Sequence, residues 1–96
     1  MILYTLIFSG GKMDTHGVPE RFNSYFILAS EQQGFGVAIV TPLSSGPMPS
    51  SPHFVVPQGP NARGGQDLAL NNAIMALRGL PGNKGLKENS EKQVVR

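Results

Sequence analysis

Apolar residues along this chain fall into four short runs followed by one stripe at helical spacing. The first run, Ile2-Leu3-Tyr4-Thr5-Leu6-Ile7-Phe8, is rich in β-branched and aromatic side chains and is closed by Ser9-Gly10-Gly11. A run of that kind bounded by turn residues predicts a buried strand. Residues 9–22 carry Gly10, Gly11, Gly17 and Pro19 and predict a loop. Two further runs, Tyr25-Phe26-Ile27-Leu28-Ala29 and Phe35-Gly36-Val37-Ala38-Ile39-Val40, flank Glu31-Gln32-Gln33-Gly34. A short polar connection ending in Gly predicts a hairpin, with Gly34 at positive φ. In its second strand Phe35, Val37 and Ile39 share one face. Gly36 and Ala38 share the other, where a helix or another chain can approach closely. Pro42 ends this strand because it brings no ladder donor. His53-Phe54-Val55-Val56 predicts a short fourth strand stopped by Pro57.

The helical stripe is Leu70, Ala73, Ile74 and Leu77, at i, i+3, i+4 and i+7. Asp67 is placed to cap the first turn, Arg78 complements the dipole in the last, and Gly79 and Pro81 end the helix. Met75 and Ala76 widen the apolar surface beyond one stripe and suggest contact with a second chain. Ser44–Pro52, with Pro47, Pro49, Pro52 and Gly46, predicts turn or polyproline-like backbone. Residues 81–96 are polar with few apolar anchors, and predict a mobile tail.

The pattern therefore predicts one α+β domain over residues 1–80. Its sheet has three to four mostly antiparallel strands, with one C-terminal helix on one face, in the order β-β-β-β-α. One helix covers one side of such a sheet, so the other side must meet solvent or another subunit.

In the helix, Ala69-Leu70-x-Asn72-Ala73-x-x-Ala76-Leu77 resembles the helix of HicB-like antitoxin domains, where a similar stretch follows three strands. Gly34-Phe35-Gly36-Val37-Ala38 is similar to the aromatic second hairpin strand of that family, and Tyr25-Phe26-Ile27-Leu28 to its first. The match spans about residues 24–80. It implies a partial ribonuclease-H-like fold without catalysis, used for oligomerisation and toxin binding. The chain departs from the family pattern in two places. Long Pro/Ser-rich and Gly-rich loops stand where the family has a short acidic turn, and the C-terminal segment is too short for a DNA-binding unit.

Composition narrows the function classes. The 96 residues suffice for one domain. Cysteine is absent, which removes disulfides and thiolate metal sites and suits a reducing cytosol. Charged residues make up only 15% of the chain, against a usual figure of about 25%. A surface so poor in charge is weakly protected against association, so a homo-oligomer or a permanent partner is expected. The apolar start has no basic residues before it and is too short to span a bilayer, so neither a signal peptide nor a membrane segment is expected.

Candidate chemistry is sparse. Gly59-Pro60-Asn61-Ala62-Arg63-Gly64-Gly65-Gln66 runs into the helix start. Arg63, Asn61 and the amides of Gly64 and Gly65 can be imagined around a phosphate or carboxylate. The spacing is not that of a phosphate loop, no Lys-Ser or Lys-Thr follows the glycines, and Asp67 would repel an anion. Asp14, His16 and His53 have no metal-ligand spacing. There is no nucleophile elbow, and the six carboxylates are scattered, so no catalytic residues and no cofactor are expected. Lys84, Lys87, Lys92 and Arg96 make a basic tail that Glu88 and Glu91 interrupt, which is a poor match to a nucleic-acid arm.

The leading expectation is a non-enzymatic, cytoplasmic binding module that self-associates and sequesters or adapts a partner protein. Met75, Asn72, Phe35 and Tyr25, with the Pro/Ser loop and a sheet edge, would supply the contact. The rival is a small-ligand binder that captures an anionic metabolite or nucleotide at Asn61, Arg63, Gly64 and Gly65. Nucleic-acid binding through sheet aromatics is a third and weaker class.

Overall fold

A computed structural model describes residues 1–13, 16–17, 19–58 and 64–95. Among these the chain forms β1 (Ile2–Met13), β2 (Pro19–Gln32), β3 (Phe35–Pro42), β4 (His53–Pro57), α1 (Gly65–Gly79) and β5 (Lys87–Val94). The strands make one antiparallel sheet in the order β4-β3-β2-β1-β5, with α1 packed on one face. The α+β expectation holds, with one strand more than the apolar runs indicated.

The β2–β3 hairpin turns on two residues, Gln33 at φ 49° and Gly34 at φ 83°. Positive φ at both positions is the twisted two-residue turn that suits the strand twist of a hairpin. The register that follows sets Leu28 opposite Ile39 and Ala29 opposite Ala38.

Side chains on alternate residues face α1. On β1 these are Ile2, Leu6 and Phe8, on β2 Tyr25, Ile27 and Ala29, and on β3 Ala38 and Val40. All are buried beneath Ala69, Leu70, Ala73 and Leu77 of the helix. Phe8 and Tyr25 meet edge to face, with ring centroids 6.2 Å apart. Small residues bring α1 in close. A Cβ built on Gly36 would collide with the Gly65 carbonyl, so helix backbone rests directly on β3 there.

A buried polar group closes the far end of this layer. Asn83 donates from Nδ2 to the Leu77 carbonyl at 2.7 Å and to the Tyr25 hydroxyl at 3.1 Å. Its Oδ1 accepts from Asn23 Nδ2 at 2.7 Å. The Tyr25 hydroxyl donates to the Pro47 carbonyl at 2.6 Å, and Arg21 donates to the Gly82 carbonyl at 2.7 Å. These bonds hold the Pro/Ser segment and the turn after α1 against β2.

Three sequence expectations need correction. Residues 9–22 are not a simple loop. β1 and β2 stay paired through Ser9–Phe22 and Gly10–Arg21, and the register shifts only between Gly10 and Met13. Asp67 is not the helix cap. The cap position is Gly64, and the Gly65 amide donates to Gln58 Oε1 at 3.0 Å, so a strand-end side chain serves the first turn. The Pro/Ser loop has the irregular backbone expected of it, with Gly46–Pro49 half-buried against the domain. The segment after residue 80 is not a tail, because Lys87–Val94 adds β5 alongside β1.

Candidate functional site

The side of the sheet opposite α1 has no covering layer among the described residues. Directly opposed residues in an antiparallel pair point to the same side, so the registers name its occupants. Leu3, Leu28, Ile39 and His53 form one row across four strands, and Thr5, Phe26 and Thr41 the next. Ser30, Val37 and Val55 lie on the other side of the Leu28 row, and Ile7 stands opposite Ser24. Leu3, Ile7, Phe26, Leu28, Val37 and Ile39 are half-buried by their neighbours alone. At the margins Phe22, Phe35 and Val55 are 50%, 43% and 56% exposed. The result is a mainly apolar surface on β1–β4, with Thr5, Ser24, Ser30, Thr41 and His53 set among the apolar side chains.

The face changes character at β5. There Asn89, Glu91 and Gln93 stand beside Ile7, Thr5 and Leu3. A shallow depression of about 300 Å³ runs along this seam, lined by Thr5, Ile7, Asn89, Ser90 and Glu91. It contains one carboxylate and no partner base.

The two sheet edges also differ. Val40 N donates to Pro52 O and Gln58 N to Gly34 O, which fixes Phe54 and Val56 of β4, with Pro52 and Gln58 at its ends, as the residues bonded toward β3. His53, Val55 and Pro57 then face outward. The His53 amide is taken by Ser51 Oγ at 3.3 Å, and Pro57 has none. Val55 supplies the one outward amide of β4, so this edge is blunted. On β5, Val95 N donates to Met1 O, so the odd-numbered residues bond to β1. Glu88, Ser90, Lys92 and Val94 present their amides and carbonyls outward, and no proline interrupts the strand.

The residues expected to bind do not converge on one surface. Tyr25 is fully buried, with its hydroxyl engaged by Pro47 and Asn83, so it offers nothing to a partner. Phe35 lies at a corner of the open sheet face. Met75, 67% exposed, and Asn72 lie on the outer surface of α1, across the molecule from Phe35. Asn61 and Arg63 lie outside the described residues, as does Asp14. Gly64 and Gly65 are at the helix start, where the Gln58 side chain already holds the Gly65 amide. No group of three or more His, Asp or Glu that would suit a metal occurs among the described residues. No helix is long and apolar enough to cross a membrane.

Sequence reasoning missed the open-face residues Leu3, Ile7, Leu28 and Val55 as candidates for contact, and offered Phe26 only as an aromatic that could stack bases. The signal was available. Leu3-Tyr4-Thr5-Leu6-Ile7 and Phe26-Ile27-Leu28 are apolar at both parities, which is the pattern of strands built to be covered on both sides. No family model, curated protein or solved structure matches this chain.

Proposed function

We propose that this protein is a non-enzymatic binding module that self-associates and holds a partner protein against the uncovered face of its sheet. One observation carries the reading, the apolar surface built from Leu3, Ile7, Phe26, Leu28, Val37 and Ile39. The five rows from Phe35 to Ile7 hold fifteen positions on β1–β4, each covering about 4.8 by 6.6 Å, or roughly 480 Å² together. That is at the upper end of what a monomer leaves open to water. Doubled by a matching partner surface, it comes to about 1,000 Å², where specific interfaces begin. The mode is the one the HicB-like resemblance implies, a sheet and helix used for assembly and for holding a toxin rather than for chemistry.

The test is affinity capture by the full chain from its own cells. A partner should co-purify in stoichiometric amount with the wild type and be lost from the double variant Leu28→Lys/Ile39→Lys. Circular dichroism should show that variant still folded. Equal recovery with the folded variant would refute the assignment of the face.

A further inference from the structure

We propose that a second copy of this chain pairs antiparallel with β5, about a two-fold axis beside Ser90, and extends the sheet to ten strands. This rests on the self-association part of the reading above and supplies its geometry.

Hydrogen-bond parity sets the terms. Only the even-numbered residues of β5 direct amides and carbonyls outward, so a symmetric antiparallel pair must place even residues opposite even residues. An axis beside any residue keeps that parity, but within Lys87–Val94 only one beside Ser90 or Glu91 pairs seven residues of each strand. Beside Glu91 it would set two carboxylates against each other. Directly opposed like charges destabilise a sheet. Beside Ser90 it sets Glu88 opposite Lys92 of the other copy, and Lys92 opposite Glu88, with Asn89 opposite Glu91 on the other face.

The charges around the edge fit the same register. Within one chain Glu88 pairs with Arg78 at 2.7 Å and Lys92 with Asp67 at 3.3 Å. Joining the copies makes two alternating rows, Arg78–Glu88–Lys92–Asp67, each drawn half from either chain. Linked charges of this kind hold better than isolated surface pairs. The strand also gains an anchor it otherwise lacks, because every side chain of β5 is exposed and its hold on the domain is the β1 ladder and those two ion pairs. The blunted β4 edge leaves β5 as the open end of the sheet.

The chain has no cysteine, so a single introduced thiol reads the register. Ser90→Cys places two Cα atoms about 5.5 Å apart across the axis, within disulfide reach. Asn89→Cys places them about 8 Å apart, beyond the roughly 7 Å limit. Sedimentation of the wild type should show a dimer. Mild oxidation should convert most of the Ser90→Cys chain, and little of the Asn89→Cys chain, to a covalent dimer on a non-reducing gel. Ser90→Pro removes an outward amide and leaves the β1 ladder intact, so it should sediment as a folded monomer. A wild-type monomer at high concentration overturns both the pairing and the self-association. A wild-type dimer whose Ser90→Cys form does not crosslink, or whose Ser90→Pro form stays dimeric, overturns the β5 pairing alone.

Discussion

Asn23 and Asn83, sixty residues apart in sequence, share a buried hydrogen bond of 2.7 Å that ties β2 to the turn after α1. Asn83 is the hub of the only side-chain network that reaches helix, strand and turn together among the described residues. Truncating it removes three buried hydrogen bonds and leaves the Asn23 amide only its 3.2 Å bond to the Gly82 carbonyl and the Leu77 carbonyl only its 3.4 Å bond from the Leu80 amide. A hydrogen bond of this kind contributes about 0.5–1.5 kcal/mol net. Asn83→Ala should therefore lower the unfolding free energy by about 2–4 kcal/mol, read from urea denaturation. Asn83→Asp keeps the shape and loses both donors, so it should be no milder. A loss within experimental error for either variant would mean that the turn is held by something else.

The contact of Gly36 with Gly65 predicts two different kinds of glycine cost. A methyl group at Gly36 meets helix backbone, which cannot swing away as a side chain can. Gly36→Ala should cost about 3 kcal/mol or more, at the upper end of overpacking penalties, and should loosen α1 from β3. A methyl group at Gly34 meets nothing within 4 Å, yet φ is +83° there. Gly34→Ala should cost about 1–2 kcal/mol through backbone strain alone, and Gly34→Asn should recover much of it. Thermal unfolding of the three variants orders them. Equal costs at Gly36 and Gly34 would refute the close-approach account.

How much of this was legible in the sequence follows from how each element is stabilised. β2, β3 and α1 bury alternate or helically spaced side chains, so periodicity gave them away, and Gln33-Gly34 named their hairpin. β5 buries none. Lys87-Glu88-Asn89-Ser90-Glu91-Lys92-Gln93 has the composition of a solvated tail, and only the backbone ladder to β1 makes it a strand. The cap was misplaced for a related reason. Asp67 has the right chemistry, but the side chain that reaches the Gly65 amide is Gln58, seven residues before it and beyond any local capping pattern. The open face was half legible. The parity of Phe35, Val37 and Ile39 was clear, whereas assigning Leu3, Phe26 and Leu28 to the same surface required the register. Tyr25 looked like a contact residue because an aromatic on a strand gives no sign of which face it takes.

That long-range cap is itself testable. Gln58→Ala removes the acceptor for the Gly65 amide and should cost about 0.5–2 kcal/mol. Asp67→Asn leaves the cap untouched. It removes an exposed first-turn charge and its 3.3 Å contact with Lys92, so it should cost under about 1 kcal/mol at moderate salt. Denaturant midpoints measured side by side decide between the two residues. A larger loss at Asp67 would return the capping role to it.

Ala38 and Ile39 are adjacent on β3, and their substitution separates the two faces of the sheet. Ala38 is fully buried against α1 in a space sized for one methyl group. Lysine there must either bury an unpaired ammonium or push the helix off the sheet, and both costs exceed the stability expected of a domain this small. Ala38→Lys should therefore fail to give a cooperative unfolding transition. Ile39 points the other way, beside Leu28 and His53. A lysine at that position can lay its methylene stem over the apolar row and keep its charge in water. Ile39→Lys should stay folded, with a stability loss of about 1 kcal/mol or less, and should be more soluble than the wild type. The same outcome for both would mean that the open face is as tightly enclosed as the core, which would require a second layer on the sheet. If a partner held by the wild type supplies that layer, Ile39→Lys should lose the partner and keep its fold.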